Sequence, residues 1–523
     1  MPTLDWIGKN AVTEHHKEVP FKILAHREDF SFGEKDTGNM IVEGDNLEAL
    51  KALLPYYKGK VKCIYIDPPY NTGNENWSYN DKVNSPQIKE WLGKLVNDED
   101  LSRHDKWLCM MYPRLMLLRE MLGNDGIILI SIGDDELCNL LMILNEIFGV
   151  SNQQGIFVWK SRLKPTNAGE AKYRPQKTTE YVLAYSKNSL IIEYLPVSVE
   201  NTKYKYPHKD KNGTYRLTTI LTSNRGMFQR ETMRFEINNF KPNENQRWKA
   251  GFDVINNLFA TGYLEFKNGI PFKKHYEHEE NFITQPLYTF IESDFSGTAE
   301  SGKTELNKLL GLSHKFDTVK PVKLIEFFLK VFTKDNDLVL DSFSGSGTTA
   351  HAVLDLNRQD SGNRKFILIE MEKEICQNIT SERIRRVIKG YGDTEGLGGG
   401  FDYYQLGETL FDEQGKIRET ITFSELARHV FFAETGTPLE KKEIGKNPLL
   451  GIKQGLAVYL LYNGILKDKT PNSGNVLTRD VLQNLPPHNG AKVIYGTSCR
   501  LSRNTLRENS ITFKQIPYEI KIS

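Results

Sequence analysis

Four consecutive residues, Asp67-Pro68-Pro69-Tyr70, combine side-chain types that suit one kind of ligand. Asp67 offers carboxylate acceptors. Pro68 and Pro69 lack a backbone N–H, so the main chain there presents only carbonyl acceptors. Tyr70 offers an aromatic face for stacking. The prolines also fix two backbone angles and hold the acceptors rigidly. Together these residues suit a planar heterocycle that carries an amino group. A second cluster, Leu-Val-Leu-Asp-Ser-Phe-Ser-Gly-Ser-Gly-Thr-Thr over residues 338–349, ends an apolar run in a glycine-rich turn. Gly345 and Gly347 let the backbone turn tightly and come close to a ligand. The next apolar run, Phe366 to Ile369, ends in Glu370. That acid lies 23 residues past Gly347, close to the interval of about 20 at which a carboxylate accepts from ribose hydroxyls. The three-glycine dinucleotide fingerprint and the P-loop Gly-Lys-Ser/Thr are both absent, so a nucleoside without a pyrophosphate fits better than NAD or ATP.

Both clusters need strand ends to hold them. Apolar patterning predicts strands near 40–43, 61–66, 127–132, 155–160 and 180–185, with helices near 45–55, 105–122 and 135–148. Asp134-Asp135-Glu136 suits a helix N-terminus, and Gly149 suits its end. Residues 301–392 repeat the alternation, with a helix from Ala350 to Asn357. Strands alternating with helices imply a doubly wound α/β sheet. For that sheet to be one unit, 36–190 and 301–392 must pack side by side. Both clusters then lie at the carboxyl ends of adjacent strands, where such sheets bind ligands. Residues 1–35 read as an N-terminal extension. Residues 191–300 lose the alternation and turn basic. Residues 393–523 start with the flexible Gly396-Leu-Gly-Gly-Gly400 run and show mixed helix and strand patterns, such as Val458 to Tyr462 and Lys492 to Tyr495.

The 523 residues suffice for two or three domains. No apolar run approaches a membrane span, and the N-terminus lacks the features of a signal peptide. Five scattered cysteines, 63, 109, 138, 376 and 499, lack metal-ligand spacing and read as buried thiols of a reducing compartment. His15-His16, and His275 with His278, lack further ligands and read as surface residues. Net charge is only +1, so any nucleic-acid surface must be local. Residues 201–250 supply one. Eleven Lys and Arg stand there against four acids (Asp210, Glu231, Glu236, Glu244), interleaved with Tyr204, Tyr206, Tyr215, Phe228, Phe235, Phe240 and Trp248. Cations neutralise phosphates, and aromatics can stack or wedge.

Phe343-Ser-Gly-Ser-Gly347 resembles the S-adenosylmethionine motif of amino-group DNA methyltransferases, and Asp67–Tyr70 resembles their catalytic motif. The catalytic motif comes first, an order similar to that of the β class, mostly adenine-N6 enzymes. Gly44-Asp45-Asn46-Leu47-Glu48-Ala49-Leu50 resembles the segment whose Asp recognises the cofactor adenine. Tyr112 to Arg119 and Asp125 to Ile132 resemble the helix and strand after the catalytic motif. Lys320-Pro321, with Val322 to Phe332, resembles the lead-in to the cofactor motif. The similarity covers most of 36–390, and the length and C-terminal tract resemble modification subunits of type III restriction systems. It implies a Rossmann-like, doubly wound methyltransferase sheet of permuted motif order. The sheet is split into a catalytic half (36–190) and a cofactor half (301–392) by a target-recognition insertion (191–300), and an α+β domain (393–523) suited to subunit contacts follows. It implies catalysis by Asp67, Pro68, Pro69 and Tyr70. Cofactor contacts would come from Asp45, Lys320, Asp341, Phe343, Gly345, Gly347, Thr348 and Glu370. It also implies double-stranded DNA as substrate, no metal, a homodimer, a helicase–nuclease partner and a prokaryotic cytoplasm.

Each residue has a plainer alternative. Asp67–Pro69 could merely end a strand, Phe343 could be core, and the glycines could serve only a turn. Asp45 could cap the helix that follows, and Glu370 could be a surface acid. Trp77 and Tyr79 could line the base pocket or the core. Cytosine-N4 methylation uses the same geometry, but related cytosine enzymes often carry Ser at the first motif position, so Asp67 favours adenine. An orphan methyltransferase and a DNA-recognition scaffold for a partner are the competing functions. Without a Walker motif, the chain should not itself translocate DNA.

Overall fold

The computed structural model describes residues 3–72, 103–164, 173, 175–195, 197–200, 204–225, 229–280, 282–312, 314, 316–412, 417–418, 421–439, 447–462 and 474–516. Trp77, Tyr79, Lys203 and Phe228 lie outside them. The chain divides into two compact units, one of residues 1–195 and 288–523 and one of Pro196–Leu287.

The first unit is built on a long mixed sheet. Its strands are β1 (Lys22–His26), β2 (Met40–Glu43), β3 (Val61–Ile66), β4 (Leu122–Ile132), β5 (Gln153–Trp159), β6 (Glu180–Ser186), β7 (Phe290–Ile291), β8 (Leu338–Asp341), β9 (Lys365–Glu370) and β10 (Gly400–Thr409). They lie in the order β1-β10-β2-β9-β8-β3-β4-β6-β5-β7, with the short Phe32–Gly33 strand beside β10. From β10 to β4 all neighbours are parallel. The central strands β3, β8 and β9 are apolar and almost wholly buried, as strands covered on both faces must be. β8 pairs directly with β3, Val339 opposite Cys63 and Leu340 opposite Ile64. The two sequence-distant motifs therefore emerge side by side, as the doubly wound reading requires.

Helices cover the sheet. α1 (Asn46–Tyr57), α2 (Arg103–Met121) and α3 (Asp134–Phe148) pack in series and share one core with Ile64, Ile66, Ile128 and Ile130. α4 (Ala299–Leu310), α5 (Val322–Phe332), α6 (Thr348–Asp360) and α7 (Ser381–Lys389) form a second group, in which α5 packs on α6 and α7 on both α6 and α4. The expected caps are present. Asp45 accepts from the N–H groups of Leu47 and Glu48 at 2.8 and 3.3 Å, and α3 starts with three acids and stops at Gly149, whose φ is 89°.

Three expectations need correction. His15 and His16 are not surface residues: they are 6% and 2% exposed, in one short helix packed on α2, and Lys51 Nζ donates to the His16 and Lys17 carbonyls at 3.1 and 3.0 Å. Residues 1–35 and the start of 393–523 each add a strand to the core sheet. β1 pairs antiparallel with β10, and β10 runs parallel to β2, so these two segments extend one sheet edge. Cys138 is exposed on α3, whereas Cys63, Cys109 and Cys376 are buried. Beyond β10, helix α8 (Phe423–Thr435) precedes a four-stranded sheet of Leu449–Lys453, Leu456–Leu460, Lys492–Gly496 and Ile511–Gln515, which has a core of its own.

The second unit lies inside the 191–300 stretch and is shorter than it, because Phe290–Ile291 already pairs with β5 and Ala299–Leu310 belongs to the first unit. It holds an antiparallel sheet of Leu264–Lys267, Ile270–Tyr276, Gly213–Thr219 and His208–Asp210. Its core is Ile220, Leu221, Ile237, Trp248, Ile255 and Leu264, with Phe235 and Phe240 packed against it.

Candidate active site

The Asp67–Tyr70 turn leaves the carboxyl end of β3 and is held from several sides. Trp107 of α2 donates its indole N–H to the Pro69 carbonyl at 2.8 Å, which commits that carbonyl to the scaffold. The Tyr70 hydroxyl donates to Glu180 Oε2 at 2.9 Å, at the start of β6. Gly133 gives the Tyr70 ring room, since a Cβ there would stand 3.0 Å from Cδ2. Asn71 adopts φ 56° and donates its amide to the Arg103 carbonyl and to Glu136, which is fully buried and also meets His104 Nδ1 at 2.6 Å.

Asp67 itself is paired. Lys320 Nζ lies 2.8 Å from each Asp67 carboxylate oxygen, 3.4 Å from Glu180 Oε2 and 4.8 Å from the Tyr70 ring centroid. Burial pushes the Asp67 carboxyl above its usual range, and Lys320 opposes that shift without cancelling it. Burial works against the Lys320 ammonium too, but the carboxylates of Asp67 and Glu180 outweigh it and raise its pKa. The sequence placed Lys320 with the cofactor group; its contacts lie with Asp67.

The glycine loop follows β8. Asp341 accepts from the Phe343 N–H at 3.0 Å and the Thr349 hydroxyl at 2.5 Å. Gly345 and Gly347 both have positive φ, 47° and 77°, and a Cβ on Gly347 would meet Thr380 Cγ2 at 3.2 Å. Glu370, 3% exposed at the end of β9, accepts from the Gly345 and Glu372 N–H groups at 2.9 and 3.0 Å. Burial pushes both Asp341 and Glu370 up to about 7. Thr348 turns its hydroxyl back to Arg383, which is wholly buried and donates at 2.9 Å. Phe343 is buried.

The end of β2 joins this group. The Gly44 N–H donates to the Glu370 carbonyl at 3.0 Å, and the Asn46 amide to the Ser342 carbonyl at 3.0 Å. Asp45 Oδ2 accepts from Arg114 at 3.1 Å, so the capping carboxylate also faces a buried guanidinium. The hydroxyls of Ser342 and Ser344 are buried without a partner. Such groups are costly unless a ligand satisfies them, so the loop between Asp341 and Gly347 suits a polar ligand. Asp45, Asp67, Asp341 and Glu370 thus gather at the ends of four successive parallel strands. Glu180, Arg114, Glu136, Asn71 and Arg383 are the supporting residues that sequence reasoning missed. Only the charge of Glu180, heading the apolar Tyr181–Tyr185 run, gave any signal. Among the described residues no group of three or more His, Cys, Asp or Glu could hold a metal, and no helix is long and apolar enough to cross a membrane.

Residues 61–382 match the model of a DNA methylase family. The chain is 30% identical over 492 residues to the Mod subunit of the type III restriction-modification enzyme EcoPI from Escherichia phage P1, covering 82% of this chain and 74% of that one. It is 31% identical over 394 residues to the type III StyLTI Mod subunit of Salmonella typhimurium, covering 72% and 58%. It is 30% identical over 378 residues to the type II methyltransferase M.KpnI of Klebsiella pneumoniae, covering 65% and 82%.

Proposed function

The chain belongs to the DNA methylase family, and we propose that it methylates the N6 amine of an adenine flipped out of duplex DNA, as the modification subunit of a type III restriction system. The observation that carries this reading is the pairing of β8 with β3, which sets the glycine loop beside Asp67–Tyr70. S-adenosylmethionine, the proposed cofactor, supplies an electrophilic methyl group when bound. Its fit is supported by the unpartnered Ser342 and Ser344 hydroxyls and by the glycine cradle. Glu370 would take the ribose hydroxyls, Asp45 the adenine amine, and Phe343 would wall the pocket.

The target amine is a poor nucleophile because its lone pair is delocalised into the ring. Asp67 and the Pro68 carbonyl accept its two N–H bonds in this reading, which favours a tetrahedral nitrogen with a localised lone pair. The nitrogen grows acidic as it is alkylated, so its proton passes late, to Asp67 or to water. Orientation by these acceptors is worth several kcal/mol. Flipping the base costs a few kcal/mol, and stacking on Tyr70, worth about 1–3 kcal/mol, offsets part of that.

The test is transfer of labelled methyl groups from S-adenosylmethionine to unmethylated duplex DNA by the isolated chain. Incorporation supports the enzyme reading; none, with cofactor bound, favours the scaffold. The relatives' description as Mod subunits supports a restriction partner as part of this reading; a homodimer is proposed with it, and sedimentation checks it.

Two predictions arise here. If ribose hydroxyls donate to ionised Glu370, protonation below pH 7 removes an acceptor. Cofactor Kd should then stay flat above about pH 7 and rise toward tenfold per unit below it, by calorimetry, with a flattened profile in Glu370→Gln. The second concerns the Pro196–Leu287 unit, which we propose reads the target. Lys205, Lys209, Lys211, Arg225, Arg230, Lys241 and Lys249 are exposed there, whereas Arg216 is paired with Glu280 and Lys274 with Asp210. Lys211→Ala and Lys241→Ala should each weaken DNA binding and reduce the salt slope by about one.

A further inference from the structure

Lys320 engages two of the features that the target base would use. Its ammonium donates to both oxygens of Asp67 at 2.8 Å and lies 4.8 Å from the Tyr70 ring centroid. A third group stands next to it: Glu180 Oε2, 3.4 Å away and already holding the Tyr70 hydroxyl. The Lys320 main chain is closely packed. Gly302 of α4 packs so closely on residues 319–321 that a Cβ would stand 2.6 Å from the Val319 carbonyl oxygen and 2.9 Å from the Pro321 nitrogen. The flexible part is the four-carbon side chain. An ammonium left on Asp67 would crowd the incoming amine. It would also repel a nitrogen that becomes positive as it is alkylated. With Lys320 on Glu180 instead, the two carboxylates and one ammonium still sum to one negative charge, and Asp67 presents that charge to the amine.

We propose that Lys320 competes with the target amine for Asp67, and that Glu180 is the acceptor that takes Lys320 over when the base is seated. This rests on the methyltransferase reading above. It makes Glu180 and Lys320 positioning residues that set how readily a flipped base is accepted. The second oxygen of Glu180 leaves capacity for both Tyr70 and Lys320.

The experiment is a double-mutant cycle on the full chain, using a duplex that carries the site mapped with the wild-type protein. It is run at alkaline pH, where Asp67 stays ionised without its cation. Glu180→Gln should lower kcat/KM for the duplex by about tenfold or more, largely through KM. Lys320→Met should retain turnover with a lower KM. In the Lys320→Met background, Glu180→Gln should change kcat/KM by less than about twofold. Cofactor Kd should stay the same in all four proteins, which certifies their folding. Equal losses in both backgrounds would mean that Glu180 acts only through Tyr70, and would overturn the proposal. So would no loss in either, or an inactive Lys320→Met. Failure of the wild-type protein to methylate any DNA would instead sink the underlying reading.

Discussion

Asp67→Ala is expected to lower methyl transfer to duplex DNA by about 10²–10⁴-fold, the range for losing a group that handles the transferred proton and orients the nucleophile. Cofactor affinity should stay within about twofold, because Asp67 bonds to Lys320 and not to the glycine loop. The fold should also survive. Asp67 ends β3 with a quarter of its side chain exposed, and Lys320 keeps Glu180 as a partner. The substitution thus separates chemistry from binding. Single-turnover kinetics at saturating cofactor reads the first quantity and calorimetry the second. Turnover near wild type would end the assignment of Asp67.

The second large effect is expected from Glu370→Ala. Two hydrogen bonds to a charged, buried acceptor would be lost with the ribose, at about 1.5 kcal/mol each, so the S-adenosylmethionine Kd should rise about 100-fold. The variant would also free the N–H groups of Gly345 and Glu372, both now held by this carboxylate. At saturating cofactor, kcat should fall only severalfold, since the Asp67 turn is anchored by Trp107, Glu180 and Glu136 instead. A Kd unchanged by calorimetry would return Glu370 to a purely structural role, as the brace of the glycine turn.

The strands that carry Asp67 and Glu370 were legible because they are almost wholly buried: five apolar positions in β3 and four in β9 leave few alternatives to a central parallel strand. Helices α1, α2 and α3 announced themselves through Asp45, the apolar period and the acidic start at Asp134. The adjacency of β3 and β8 followed from the logic of the doubly wound sheet, not from any local signal. Ion-pair partners were not legible. Lys320 and Asp67 are more than two hundred residues apart, and nothing in either neighbourhood names the other. The sequence alone therefore groups Lys320 with the cofactor residues that it precedes. Trp248 departs from the reading of the 201–250 aromatics for a different reason. A small unit must build a core from what it has, so Trp248 is wholly buried, stacks on Phe235 at 5.8 Å and is flanked by Phe240. Tyr204 lies instead under the Arg216 guanidinium. His15 and His16 read as polar surface, but the short helix that carries them packs on α2 and both rings are buried.

The central claim is that this chain moves a methyl group to adenine N6. Nucleoside mass spectrometry tests it most directly, on unmethylated duplex DNA incubated with the purified chain and S-adenosylmethionine. N6-methyladenine is the predicted product, and sequencing that DNA would give the site. N4-methylcytosine would contradict the base assignment while keeping the geometry, and no modified base, despite proven cofactor binding, would contradict the claim itself.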